Sequence, residues 1–246
     1  MTKFIVLFLL LPFTFICTLF INPKKEYDKN SPFFRKLLYG YTWFALKVCR
    51  IKVHTEGMEK LPENTRFVLV GNHRSNWDPI ITWLVFRHYD IAFLSKESNF
   101  KIPLFGRMIR KCCFMKIDRE NPRNALKTIE KASELIKKDE VSIGVYPEGT
   151  RNKENNGLLP FHNSVFKIAQ KASVPIVVVS LSGTETIRKR FPWKRSYVYM
   201  EICDVIETEE VTSMRTVEIG ERVKTKIEES IQTKEEKTNE TELHTI

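Results

Sequence analysis

No CxxC pair occurs in this chain, and its cysteines have no regular spacing. They number five, Cys17, Cys49, Cys112, Cys113 and Cys203. An odd, irregular set of this kind is neither a disulfide framework nor a zinc site. It fits a reducing compartment, with each thiol serving as a small apolar side chain. No internal repeat runs along the 246 residues. No nucleic-acid-binding motif accompanies the net charge of +10 and the pI of about 9.3. The basic balance therefore points to anionic lipid or a phosphorylated small molecule. Disorder is excluded by a hydrophobic content of 42%. The length suffices for one α/β domain with a sizeable core.

Charge is also missing from Phe4 to Ile21, FIVLFLLLPFTFICTLFI. As a helix this run would be roughly 27 Å long, just short of the roughly 30 Å hydrocarbon layer. No small-residue cleavage site follows it, which argues against a signal peptide. Residues 1–22 are therefore expected to be a retained membrane anchor, spanning or re-entrant, with Pro12 kinking it. Lys3 precedes the run and Lys24 and Lys25 follow it, so flanking charge hardly fixes orientation.

Ser31-Pro32 reads as a helix start. Over residues 31–50, Phe34, Leu37, Leu38, Tyr41, Phe44, Ala45 and Val48 recur at helical spacing, among Arg35, Lys36, Lys47 and Arg50. Either this is an amphipathic helix at a membrane interface or it packs on the domain core. Residues 51–227 form the expected globular domain. The polar stretch at 228–246 is expected to be a frayed tail.

Within the domain, short β-branched runs recur at Ile51–Thr55, Phe67–Val70, Ile91–Leu94, Phe114–Ile117, Ser142–Tyr146, Ile176–Leu181 and Tyr197–Ile206. Helical patterns separate most of them. The clearest spans Asn121 to Lys138, with Asn121 as cap, Pro122 behind it, and Ala125, Ile129, Ala132 and Ile136 on one face. The alternation predicts an α/β fold: a mixed, largely parallel central sheet with helices on both faces, preceded by N-terminal membrane-associated helices. In such sheets ligands sit beyond the carboxyl ends of strands.

Two strand ends carry chemistry. After Phe67–Val70 comes GNHRSNWDP, with His73 and Asp78 five residues apart. That spacing is poor for a helical pair, so a loop must fold back for the two to meet. Asp78-Pro79 is by itself a helix start, with Asp78 as cap. A carboxylate has two oxygens, however; one can accept a helix N–H and the other the imidazole Nδ1–H, leaving Nε2 free as a base. After the Ser142–Tyr146 run comes YPEGTR, which is either an ordinary polar turn or a phosphate loop. Gly149 allows close backbone approach, and Arg151 offers a planar fork that matches phosphate. Between them, Ser95 to Glu120 interleaves seven cations with Phe100, Leu104, Phe105 and Phe114. Arg119 is its best candidate for a phosphate contact, the others reading as a solvated basic face.

Four blocks in order, NHRSNWD, FGRMIRKCCFMKIDR, YPEGTR and VPIVVVSLSGT, resemble the glycerolipid acyltransferase family over about Val53 to Ile206. The resemblance maps the family's His/Asp pair onto His73 and Asp78, its EGTR onto Glu148, Gly149, Thr150 and Arg151, and its later arginine onto Arg119. It implies transfer of an acyl chain to the free hydroxyl of 1-acyl-glycerol-3-phosphate, giving phosphatidic acid. The donor would be an acyl thioester, acyl-CoA or acyl carrier protein, used as co-substrate. His73 would be base and Asp78 its orienter, with Arg119, Glu148, Gly149, Thr150 and Arg151 on the acceptor side. No metal or other cofactor is expected, because a thioester needs only oxyanion stabilisation. The expected location is the membrane, with the domain on its cytoplasmic side. Other lysolipid acceptors, and a non-catalytic lipid-binding module, remain as alternatives. Departures from the family pattern fall at Cys112-Cys113, Tyr146, Val179, His162 and Ser164.

Overall fold

A computed structural model describes residues 2–118, 121–154 and 157–243, with side chains described for 11–234 within those ranges. Among the described residues the chain forms nine α-helices and seven strands in one sheet. The strands are β1 (Ile51–Glu56), β2 (Val68–Gly71), β3 (Ala92–Ser95), β4 (Met115–Lys116), β5 (Ile143–Val145), β6 (Ile176–Ser182) and β7 (Ser196–Ile206). The helices are α1 (Thr2–Leu19), α2 (Pro32–Val48), α3 (Trp77–Val85), α4 (Phe105–Lys111), α5 (Pro122–Lys137), α6 (Lys167–Ala172), α7 (Ile187–Arg190), α8 (Thr208–Ser213) and α9 (Thr216–Leu243).

The sheet order is β1-β7-β6-β2-β5-β3-β4. Only the β6–β7 pair is antiparallel. The parallel sheet explains the unbroken apolar runs, since a strand buried on both faces needs apolar residues at both parities. Val68 and Val70 face one core layer, with Ile176 and Val178; Phe67 and Leu69 face the other, with Val177 and Val179. Helices α5, α6, α8 and α9 cover the first face, and α2, α3 and α4 the second.

Local signals explain several elements. Asn121 caps α5, its side chain accepting from the N–H groups of Arg123 and Asn124 at 3.1 and 3.3 Å. Helix α2 belongs to the core: Phe34, Leu38 and Leu46 are buried, and so is Arg35. The Arg35 guanidinium donates to the carbonyls of Ile91 (2.8 Å) and Cys112 (3.2 Å), and it stacks 4.7 Å from the Trp83 ring. Thus one residue of the expected basic face instead fills an interior demand for donors.

Two expectations are corrected. The expected spanning segment is not found: among the described residues no helix is long and apolar enough to cross a membrane. Helix α1 has 18 residues, about 27 Å of rise, less than the roughly 30 Å hydrocarbon layer. The stretch from 228 is not a frayed tail either, since α9 continues through it to Leu243. Ile219, Val223, Ile227 and Ile231 form one buried i, i+4 ridge that crosses residue 228. Ser230 adds a polar pin, 2.6 Å from Ser180 Oγ and donating to Glu201 Oε2 at 2.7 Å.

Gly106 lets α4 rest directly on the 3-10 turn at Glu97–Lys101, where an added Cβ would run into the Phe100 carbonyl. Backbone cannot swing aside as a side chain can. Gly106→Ala should therefore destabilise the fold by about 1–3 kcal/mol. Denaturant unfolding checks this, and an unchanged midpoint would contradict the packing.

Candidate active site

The parallel strands β5, β2 and β6 send their carboxyl ends to one side of the sheet. The segment after β2 carries His73, and the segment after β5 carries Glu148 to Arg151. At that edge His73 Nδ1 lies 2.8 Å from Asp78 Oδ2. The same oxygen accepts the backbone N–H groups of Arg74 (2.7 Å) and Ser75 (2.6 Å). The carboxylate thus works differently from the expected cap. It gathers donors from the loop before the helix, all onto one oxygen, while Asn76 occupies the cap position. Asp78 is fully buried, while His73 keeps 17% of its side chain exposed. With Nδ1 engaged by the carboxylate, Nε2 is the ring nitrogen left for a ligand.

Three further contacts fix the histidine. Its ring stacks on Tyr146, with centroids 4.7 Å apart and planes 23° off parallel. Tyr146 in turn stacks on Phe93 and donates its hydroxyl to Thr82 Oγ1 at 3.2 Å. Burial pushes the Tyr146 phenol well above the usual range, and the Asp78 charge adds to this. The third contact is Glu148, whose Oε1 accepts the His73 backbone N–H at 2.7 Å while Oε2 accepts that of Leu159 at 3.1 Å. Burial pushes the Glu148 carboxyl up, against these two bonds that pull it down. The Asn152 N–H donates to the His73 carbonyl at 2.7 Å. Both ends of the His73 peptide are therefore tied to the segment after β5.

A cavity of about 490 Å³ opens beside this pair. His73, Gly149, Thr150 and Arg151 line it together. So do Leu38, Ile80, Trp83, Phe93, Phe105 and Phe114, which give it an apolar part. Gly149 has φ +68°, a left-handed conformation that favours glycine at this turn. Glu148 belongs elsewhere: it is buried, both its oxygens are taken by backbone N–H groups, and it is not part of the cavity wall. Its two oxygens hold the backbone at His73 and Leu159, a positioning role within the loop rather than that of a second base. Arg119 lies outside the described residues.

Sequence reasoning missed Asn72, Tyr146 and Lys96. Asn72 is fully buried and bonds reciprocally with Leu181 of β6, both bonds 2.8 Å. Its signal was a polar residue at the end of an apolar run, which must find partners if buried. Lys96 stands on the cavity wall at the end of β3, hidden in sequence among the other cations of its stretch. Cys112 and Cys113 are buried, and desolvation pushes both thiols up to about 12. Neither offers a thiolate near neutral pH.

A histidine held by a buried carboxylate, on the wall of a partly apolar cavity that an arginine also lines, is an arrangement suited to group transfer on an amphipathic substrate. The chain belongs to the acyltransferase family, whose model matches residues 52–182. Among its relatives is a 1-acyl-sn-glycerol-3-phosphate acyltransferase of Haemophilus influenzae, 32% identical over 68% of this chain and 67% of that one. The Streptococcus pneumoniae protein of the same name is 26% identical over 89% and 80%. A chloroplastic one from Brassica napus is 36% identical over 55% of this chain but only 39% of its own length. The fold matches the crystal structure of a lysophosphatidic acid acyltransferase, PlsC, from Thermotoga maritima. The TM-score is 0.68 at 24% identity, over 82% of this chain and 79% of that one.

Two substitutions separate the holds on His73. Asp78→Asn keeps the shape but offers the Arg74 and Ser75 N–H groups and the imidazole a weaker, uncharged acceptor. It should lower kcat by about 10³-fold or more, measured by steady-state turnover; a change within threefold would remove Asp78 as orienter. Glu148→Gln leaves one acceptor for two N–H donors. It should cost about 1–3 kcal/mol of stability and lower kcat while leaving the KM of both substrates nearly unchanged. A large rise in KM with kcat intact would restore Glu148 to the substrate.

Proposed function

We propose that the chain transfers an acyl group from an acyl thioester, on coenzyme A or acyl carrier protein, to the free hydroxyl of 1-acyl-glycerol-3-phosphate, giving phosphatidic acid. The observation that carries this reading is the His73–Asp78 pair, with Nε2 unengaged among the described residues, on the wall of a cavity shared with Arg151.

In this reading His73 Nε2 takes the proton of the acceptor hydroxyl as the oxygen attacks the thioester carbonyl carbon. The buried Asp78 carboxylate stabilises the imidazolium that forms. The tetrahedral intermediate then collapses, the C–S bond breaks, and the imidazolium returns its proton to the departing thiolate. The product is an ester plus a free thiol. Arg151 binds the acceptor phosphate, and Gly149 and Thr150 shape the loop around it. The apolar wall of Trp83, Phe93, Phe105 and Phe114 suits a hydrocarbon chain, whose burial stabilises by about 0.8 kcal/mol per methylene. The transfer is direct, in preference to a covalent route through Ser75, Cys112 or Cys113; burial raises both cysteine thiols to about 12, which disfavours their thiolates.

Membrane association belongs to the same proposal. Helix α1 packs on α2 and α4 through Thr14 and Thr18, both buried. Thr14 Oγ1 lies 2.6 Å from Tyr41 Oη, and Arg107 donates to the Thr18 carbonyl at 2.8 Å. Phe13, Phe15, Ile16, Leu19 and Phe20 stay exposed, Phe20 at 86%. Over residues 11–20, hidden threonines and uncovered phenylalanines give the polarity expected against hydrocarbon rather than water. It is short for a span and suits an in-plane or re-entrant seat, with the domain on the cytoplasmic side. A different lysolipid acceptor is the second reading, favoured by His162 and Ser164 on the cavity wall, two of the departures from the family pattern.

Release of free thiol from acyl-CoA with lysophosphatidic acid tests the assignment. His73→Ala should lose about 10²- to 10⁴-fold in kcat. Arg151→Ala should raise the acceptor's KM about tenfold to a hundredfold with little change in the donor's. Wild-type turnover in His73→Ala would sink the base. An equal rise in both KM values would sink the phosphate role, and thiol release without any lysolipid would point to a thioesterase.

A further inference from the structure

The segment between β6 and β7 reads RKRFPWKR, Arg188 to Arg195. Its five cations, Arg188, Lys189, Arg190, Lys194 and Arg195, are all exposed, and none forms a salt bridge among the described residues. Phe191 is 44% exposed and Trp193 84%. An uncovered tryptophan amid unpaired cations is an expensive surface in water. A loose loop could carry it by accident, but this one is fastened. Ile187 is buried at its base. Backbone bonds run from Phe191 N to Ile187 O (2.9 Å) and from Lys194 N to Arg190 O (2.8 Å). The Arg190 side chain donates to the Arg195 carbonyl at 3.2 Å, and Arg50 donates to the Trp193 carbonyl at 3.1 Å. The fold thus holds the two aromatic rings outward.

The place of the loop matters as much as its composition. Strands β2 and β6 run parallel, pairing Gly71 with Val179. His73 follows β2, and the basic loop follows β6 on the same side of the sheet. Asn72, the residue before His73, ties that segment to β6 through its reciprocal bonds with Leu181, near the end of the strand that leads into the loop. Strand β7 then turns back antiparallel, so the loop stands beyond the carboxyl end of β6, on the side of the sheet where His73 follows β2. We infer that the Arg188–Arg195 loop docks this edge onto an anionic lipid surface, its cations meeting phosphate headgroups and its Trp193 and Phe191 rings entering the interfacial layer. The inference rests on the proposed function only for its purpose, which is to bring the mouth of the cavity to a lipid substrate. The loop is separate from the α1 face and contributes nothing to the cavity wall.

Flotation of the full chain with phosphatidylcholine vesicles containing phosphatidylglycerol tests it. Each cation near such a surface is worth about fivefold in partitioning. The triple variant Arg188→Gln, Lys189→Gln, Lys194→Gln should therefore bind about a hundredfold more weakly, with no change on pure phosphatidylcholine. High salt should erase the difference. Trp193→Ala should weaken binding to both vesicle types. Turnover of short-chain, monomeric substrates should stay at the parent's level in every variant, which also confirms that each folds. Unchanged partitioning of the triple variant on anionic vesicles overturns the inference. So does unchanged partitioning with a raised KM for acyl carrier protein, which would make the loop a protein dock. A parent chain that binds through the loop yet releases no thiol upholds the docking and overturns the reaction.

Discussion

One carboxylate oxygen organises the active edge. Asp78 Oδ2 accepts three N–H donors within 2.8 Å while its residue is wholly buried. A buried charge without partners would cost several kcal/mol, so these donors are a condition of the fold as much as of the chemistry. Meeting it forces the chain from His73 to Ser75 to wrap around the start of α3. The imidazole is carried along, and its Nδ1 becomes the third donor. Geometry required for burial thereby engages Nδ1 and leaves Nε2 for a ligand, as the proposed base role needs.

The remaining freedom of His73 is removed from three directions. Tyr146 covers a face of the ring, Glu148 takes the backbone N–H, and Asn152 donates to the carbonyl. All three belong to the segment that leaves β5. The parallel β2–β5 pairing is therefore more than scaffolding, because it sets the His73 loop beside the segment that clamps it. A shift of one residue in that register would turn every side chain of β2 to the wrong face and separate the two loops. Glu148 belongs to this clamp. Its two oxygens bridge His73 and Leu159, so the side of the EGTR turn that meets the cavity is left to Gly149, Thr150 and Arg151.

Much of this was legible from residues alone, for identifiable reasons. All seven strands were marked by β-branched runs, and α5 by an asparagine followed by proline. The His73–Asp78 pair was legible because five residues is a loop spacing at a strand end. What escaped depended on three-dimensional partners. Arg35 reads as one of the basic residues of an amphipathic helix, yet it answers two interior carbonyls 56 and 77 residues away in the chain. Asn72 looked incidental until Leu181 was placed beside it. The boundary drawn at residue 228 followed composition, whereas the helix follows a four-residue ridge, Ile219 to Ile231, that polar neighbours disguise. Local pattern names elements; pairing partners decide which polar residues go inside.

The same distinction bears on α1. Its sequence shows only that it is apolar, and an apolar helix can be a span, a leader or a core element. Packing separates these. A core helix would turn Phe13, Phe15 and Phe20 toward the domain; α1 instead turns Thr14 and Thr18 inward, where the Thr14 hydroxyl meets Tyr41, the Thr18 hydroxyl donates to the Phe15 carbonyl, and Arg107 donates to the Thr18 backbone carbonyl. Burying two hydroxyls while exposing three phenylalanines is unfavourable in water by several kcal/mol of apolar transfer free energy. The arrangement becomes favourable once the outer face meets hydrocarbon. The helix is held at the domain edge by its polar side, which leaves its apolar side exposed; the proposed membrane seat rests on that exposed face, and an in-plane seat would let the domain reach a lipid without crossing a bilayer.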